Sequence, residues 1–336
     1  MEVESSKHNL SKYVVEKTPC YGNEGVSCNI PKNHDTQDWL TLLKYIKHGA
    51  FGSVYKGVLR DMPDYYVAIK QQYDKPDFYD FEREIMVFKQ VNELVAQKKA
   101  PNFLTLIDYF ICPSPDDVIS DINFDSRIGK SLCGKDAHPN NVFTEVSIYE
   151  LADGDLLDVK DKDVLFSLIC QALLSYEIAY RLIGFVHNDF KPANVLFKKV
   201  PIDRKYFVYQ TKKATWVVPN FGYYVLIGDL GLSETRQYKN WKHRANKPIE
   251  DYHRLFHRLF SILDIDYKLI ESPPLLRKFM DINCHVEEDV DDNNAYFFVS
   301  DAENMFGSYE KVEVKEPEYK PAVNPYVALG VHDVEG

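Results

Sequence analysis

No Cys-x-x-Cys pair occurs among the six cysteines, at positions 20, 28, 112, 133, 170 and 284, and none stands at zinc-ligand spacing from a histidine. That pattern excludes a structural zinc site and a redox dithiol, and it leaves free thiols as the expectation. Long apolar runs are also lacking. Val164 to Val186 comes nearest to membrane-spanning length, but it carries Gln171, Glu177 and Arg181, and its Leu165, Leu168, Ile169 and Ala172 recur at helical intervals, which predicts a buried core helix. The start, Met1-Glu2-Val3-Glu4, has neither the basic opening nor the apolar core of a signal peptide, so a soluble, intracellular, cytoplasmic protein without a membrane span is expected. Excess positive charge is missing as well. With 40 Lys+Arg against 51 Asp+Glu the net charge is −11, a field that repels polyanions and argues against general nucleic-acid or anionic-membrane binding. Nothing in the pattern fixes an oligomeric state.

What is present suffices for a sizeable fold. The 336 residues are 45% hydrophobic and 14% aromatic, enough to fill the cores of two compact lobes. Residues 1–38 are polar, turn-rich and aperiodic, and read as an extended arm. A strand-rich region follows over 39–151, a helix-rich one over 152–285, and an acidic tail over 286–336. The first region is interrupted over 112–141 by a polar surface loop, marked by Pro113-Ser114-Pro115 and Asp116-Asp117.

The most informative stretch is His187-Asn188-Asp189-Phe190-Lys191-Pro192-Ala193-Asn194, between a helical apolar run and the strand-like Val195-Leu196-Phe197. Asp189 can accept a hydroxyl proton, Lys191 can neutralise charge on a transferred phosphoryl group, and Asn194 can offer an oxygen to a metal ion. Asp and Asn also decorate ordinary turns, and Lys-Pro is common in solvated loops. Downstream, Leu226-Ile227-Gly228-Asp229-Leu230-Gly231 is an apolar strand delivering a carboxylate into a glycine turn, where Asp229 is either a second metal ligand or a plain turn former. Upstream, Gly49 and Gly52 bracket a turn whose backbone can approach phosphate oxygens closely. Val67-Ala68-Ile69-Lys70 is an alternating strand ending in a lysine, which suits phosphate pairing or a strand edge. Phe81 to Phe88 has helical spacing, and Glu84 beside Ile85 and Phe88 is the preferred partner for Lys70, with Glu82 as its competitor.

In this order, Gly49/Gly52, Lys70, Glu84, Asp189/Lys191/Asn194 and Asp229 resemble the protein-kinase superfamily over roughly Leu40 to Asp281. The resemblance implies an α+β, two-lobed fold of a small β-rich lobe (39–151) and a larger helical lobe (152–285), with ATP in the cleft between them. It implies Asp189 as catalytic base, Lys191 as charge neutraliser, Lys70 with Glu84 aligning the nucleotide, and Asn194 and Asp229 holding Mg2+, with Mn2+ as an alternative. Tyr149 to Leu156 resembles the hinge, where backbone around Glu150 and Ala152 would meet adenine and Tyr149 would gate a back pocket. Ile46, Val54, Ala68 and Leu196 occupy positions that sandwich the base, although residue by residue each reads equally as core.

Departures from the family pattern narrow the reading. Lys47 stands where the first loop glycine is usual, and Asp-Phe-Gly appears as Asp-Leu-Gly. Between Phe197 and Asp229, the runs Lys205–Tyr209 and Trp216–Gly222 predict a hairpin extending the catalytic sheet. This Trp/Pro/Asn/Gly insertion resembles kinases of nucleocytoplasmic large DNA viruses, iridovirus-like and poxvirus-like, which would place the chain in host cytoplasm or virion. No Ala-Pro-Glu follows Gly231. Asp251 instead opens a helix, as an N-cap, as the family's structural aspartate, or both. Asn188 replaces the arginine of phosphate-regulated kinases, so activity without activation-loop phosphorylation is expected. Arg236, Lys239, Lys242, Arg244 and Lys247 form a basic run that is either a solvated face or a dock for acidic or already phosphorylated protein substrates. The acids of Glu287 to Asp292 are a further possible partner for it. Lys191 resembles the residue that serine/threonine rather than tyrosine kinases carry there, and the resemblance implies serine/threonine specificity. A pseudokinase that binds nucleotide without turnover, and a small-molecule kinase of the same fold, stand as alternatives.

Overall fold

The computed structural model describes residues 40–49, 52–59, 62–73, 79–111, 144–237, 248–257, 259 and 295–302. The expected arm, the 112–141 loop, Lys239 to Lys247 and the acids of Glu287 to Asp292 lie outside them. The described chain is a mixture of helices and largely antiparallel sheets, and it divides into two units. One takes the residues up to Phe81 and from Thr105 to Leu151; the other takes Glu82 to Leu104 and the residues from Ala152 through the last described strand.

The first unit is a five-stranded antiparallel sheet in the order β1-β2-β3-β5-β4, formed by β1 (Leu40–Gly49), β2 (Gly52–Leu59), β3 (Met62–Tyr73), β4 (Leu106–Ile111) and β5 (Thr144–Glu150). Alternation places it. Val67 and Ile69 of β3 are fully buried, while Ala68 and Lys70, which alternate with them, face the other way and are half-buried. Gly52 pairs with Gly49 where β1 turns into β2. Its φ is 156°, and a Cβ there would lie 1.9 Å from the Gln71 carbonyl oxygen, so the close approach of β2 to β3 requires glycine whatever else the loop does.

In the second unit, helix α1 (Tyr79–Ala96) contributes from Glu82 onward and buries Ile85, Val87, Phe88 and Val91. Helix α2 (Lys162–Ile183) is the expected core helix. Asp161 caps it by accepting from the Asp163 and Val164 amides, a contribution of about 1 kcal/mol. Gly184 ends it in the left-handed conformation, φ 67°. The helix is long and apolar enough to cross a membrane by length and composition, but 83% of its most apolar window is buried within the protein. Cys170, on this helix, is disulfide-bonded, which corrects the free-thiol expectation at that position.

Two three-stranded sheets pack in this unit. One has the order β10-β7-β6, from β6 (Gly154–Asp155), β7 (Val195–Lys199) and β10 (Tyr223–Ile227). The expected hairpin forms as β8 (Tyr206–Gln210) and β9 (Thr215–Pro219), but it does not extend that sheet. It makes a separate one, whose third member is β11 (Ala295–Val299), parallel to β8. The apolar Val208, Val217 and Ala295 cluster there, with Tyr206 and Phe297 packed against them. Part of what reads as acidic tail is therefore a strand of the fold, which continues past residue 285. Helix α3 (Pro248–His257) starts at proline, three residues ahead of Asp251, so Asp251 lies in the first turn and is not the N-cap.

Candidate functional site

Strand pairing brings together the loop of Asp189 and the turn of Asp229. In β7 and β10, Val195 pairs with Ile227, so the residues just outside those strands, Asn194 and Gly228, face each other. The Gly228 amide donates to the Asn194 carbonyl at 2.9 Å, and Asp229 follows directly. From the other side, buried His187 links both segments: the Asp189 amide donates to Nδ1 at 3.3 Å, which leaves the ring proton on Nε2 to donate to the Gly228 carbonyl at 3.0 Å.

The loop itself is tightly bonded. Lys191 Nζ donates to Asp189 Oδ2 at 2.6 Å, an ion pair with both side chains about a third exposed. Asn194 Nδ2 donates to the Asp189 carbonyl at 2.9 Å and to Oδ2 at 3.1 Å, which turns its amide oxygen away from Asp189. Asp229 is exposed and left-handed, φ 55° and ψ 62°, a conformation costing about 1 kcal/mol for a residue with a Cβ. Asn188 is left-handed too, φ 62°.

Asp251 supports this loop from α3. Its Oδ2 accepts from the His187 and Asn188 amides, each at 3.0 Å, and from the Tyr176 hydroxyl at 2.7 Å, while the carboxylate is 1% exposed. Of the two roles the sequence offers for Asp251, the geometry assigns the one that holds the loop backbone. On the neighbouring face, Glu177 is fully buried, paired with Arg181 at 2.8 Å and accepting from the Tyr252 hydroxyl. Tyr176 hides within the apolar pattern of α2 and carries no sequence signal of its role.

Sequence also leaves Arg83 unmarked. Its Nη2 donates to the Gly231 carbonyl at 2.7 Å, just past Asp229, and the adjacent Glu84 is buried with its Oε2 3.4 Å from where a Gly231 Cβ would be. Arg236 departs from the expected basic face. Burial holds its guanidinium below the usual arginine range, and it donates to the Arg181 and Leu182 carbonyls at the end of α2. The remainder of that basic run lies outside the described residues.

The site residues fall in both units. Glu84, Ala152, Asp189, Lys191, Asn194, Leu196 and Asp229 belong to the second; Ile46, Gly49, Gly52, Val54, Ala68, Lys70 and Glu150 belong to the sheet of the first. Within that sheet Val54 pairs with Lys70, and Lys70 pairs with Ser147. Ile46 is exposed, Val54 and Ala68 are half-buried, and Tyr149 is buried beside Ala68 in register. Glu150 is wholly buried; its amide donates to the Thr105 carbonyl and its Oε1 accepts from the Thr105 amide. Burial first, and the Glu150 charge second, push the Tyr65 hydroxyl well up from its ordinary value. Among the described residues no cluster of three or more His, Cys, Asp or Glu is placed to hold a metal.

No protein-family model matches the chain. A probable serine/threonine-protein kinase of Invertebrate iridescent virus 6 is 25% identical over 232 residues, covering 67% of this chain and 41% of that protein. A probable serine/threonine-protein kinase of Dictyostelium discoideum is 39% identical over 75 residues, 21% of this chain and 6% of that protein. The chain thus spans less than half the length of either relative. In sequence it resembles diverged serine/threonine protein kinases, one of them from an iridovirus.

Proposed function

We propose that the protein is an ATP-dependent serine/threonine protein kinase with a two-lobed fold, acting without activation-loop phosphorylation. The observation that carries the reading is the meeting of Asp189, Lys191, Asn194 and the Asp229 turn around one strand pair, β7–β10. A carboxylate and a carboxamide oxygen are hard donors, the chemistry that suits Mg2+ held jointly with substrate phosphates. Asn194 and Asp229 would hold that ion, which supplies neutralisation of charge on the phosphates.

The protein's own groups do the rest. Asp189 orients the acceptor hydroxyl and takes its proton; Lys191, already beside Asp189, counters charge on the phosphoryl group in flight. Lys70 and Glu84 would align the α and β phosphates, with Gly49 and Gly52 at the phosphate loop. Backbone around Glu150 and Ala152 would meet adenine, with Ile46, Val54, Ala68 and Leu196 as the residues to sandwich it. The neutral Asn188 supports independence from activation-loop phosphate, because its Nδ2 donates to the Leu232 carbonyl at 2.9 Å and needs no anion as a partner.

Incubating the purified protein with Mg2+, ATP labelled in the γ-phosphate and a mixed panel of acidic and basic protein substrates tests the reading, with Asp189→Ala alongside. Label on serine or threonine from the wild type alone is expected. Nucleotide binding without transfer would make it a pseudokinase, and label on small molecules only would make it a small-molecule kinase.

A further inference from the structure

Residues 231–236, which follow Asp229, are fastened along their length to the body of the second unit. At the near end, Arg83 of α1 grips the Gly231 carbonyl at 2.7 Å. Asn188 Nδ2 donates to Leu232, and Ser233 Oγ donates to the His187 carbonyl at 3.2 Å. Val186 and Glu234 exchange backbone bonds at 2.9 and 2.8 Å, and the Arg236 amide donates to the Ile183 carbonyl at 2.9 Å. At the far end the Arg236 guanidinium reaches the Arg181 carbonyl at 2.9 Å and that of Leu182 at 3.4 Å. These oxygens end helix α2, where its dipole is negative and a cation is favoured. Ser233, Glu234 and Thr235 are buried.

Strain explains why such fastening matters. Asp229 and Asn188 both sit left-handed, and conformations of that kind persist only where the surroundings over-determine them. Upstream of Asp229, the Gly228 amide and carbonyl are held by Asn194 and His187; downstream, the Leu230 carbonyl accepts from the Ser233 amide at 2.9 Å and Arg83 holds the Gly231 carbonyl. We propose that Arg83 and Arg236 are positioning residues that anchor the two ends of this segment and so keep the Asp229 carboxylate aligned with the Asp189 loop with no phosphate. The proposal rests on the phosphotransfer reading above. The arginines touch no substrate; they act through the turn, so the quantity they govern is the metal-dependent step and not recognition of the protein substrate.

The test compares Arg83→Ala, Arg83→Lys, Arg236→Ala and Arg236→Lys with wild type in kcat, in KM for a protein substrate, and in the Mg2+ concentration giving half-maximal rate. Each alanine variant is expected to lose kcat by about tenfold and to need several times more Mg2+, with substrate KM unchanged and the lysine variants recovering much of the loss. Mg2+ dependence within about twofold of wild type in both alanine variants, or lysine no better than alanine, overturns it. Should the alanine variants not fold, amide exchange of the wild type decides: Glu234 and Arg236 amides as protected as those of α2 support the latch, and exchange at exposed-loop rates overturns it. A wild type that transfers no phosphate sinks the phosphotransfer reading instead, and amide exchange still judges the latch.

Discussion

Asp251 concentrates more of the site's architecture than any other single side chain. Replacing it with alanine removes an acceptor from the half-buried Asn188 amide and the buried Tyr176 hydroxyl, each costing about 1–3 kcal/mol, and leaves the buried His187 amide only its longer bond to Tyr176 at 3.3 Å. Asp251→Ala is therefore expected to lose roughly 3 kcal/mol or more in denaturant unfolding, with Asp251→Asn losing less because one oxygen still accepts. Equal stability of all three proteins would show that the loop does not depend on this carboxylate. At this scale the groups of Asp189, Lys191, Asn194 and Asp229 were legible because their chemistry is packed into short motifs. Arg83, Tyr176 and Arg236 were not, since an arginine on a helix or a tyrosine in an apolar run looks the same whether it serves the site or only the core. Their partners lie far away along the chain, Gly231 being 148 residues from Arg83.

Among the elements, the sheet of β8, β9 and β11 shows where sequence reading stops. Aromatic and β-branched runs around a Lys-Lys turn announce a hairpin, but nothing local announces that a strand some ninety residues on completes it: Arg204 donates to the Ala295 carbonyl across a separation of 91 residues. Acidic composition hid β11, whose Phe298 is 2% exposed. Cutting the chain before Ala295 uncovers the Val208/Val217 cluster and removes Phe298, a loss of roughly 3 kcal/mol or more in denaturant unfolding. An unchanged unfolding midpoint would mean that β11 contributes nothing to the fold.

The same element has an acid-sensitive fastening. The Tyr296 hydroxyl donates to the exposed Asp203 carboxylate, and this bond holds the carboxyl below its ordinary value of 3.8. A depressed carboxyl stabilises the folded form above its unfolded pKa, and that contribution disappears as pH falls through the folded value. Below about pH 4 the β11 edge should loosen, to a small extent because solvent screens the site. Following the Asp203 carboxyl carbon by NMR should give a midpoint under 3.8 that moves upward in Tyr296→Phe; a midpoint that ignores the substitution would remove Tyr296 as the cause.

For the molecule as a whole, the described chain passes between its two units at Phe81/Glu82, Leu104/Thr105 and Leu151/Ala152, and the residues proposed to handle charge fall in both. The expectation of two lobes came from resemblance and not from periodicity, because the sequence gives strand and helix runs but no record of which surfaces meet. Length and composition could bound the cores, whereas the fastening of residues 231–236 had to be seen in three dimensions.

Phosphatase-treated protein provides the most direct test, by the initial rate of γ-phosphate transfer from Mg-ATP to serine and threonine of a protein substrate, measured beside Asp189→Ala. The treated wild type is expected to keep its rate, and Asp189→Ala to fall by about 10²-fold or more. A wild type silenced by phosphatase, or an Asp189→Ala protein as fast as wild type, would contradict it.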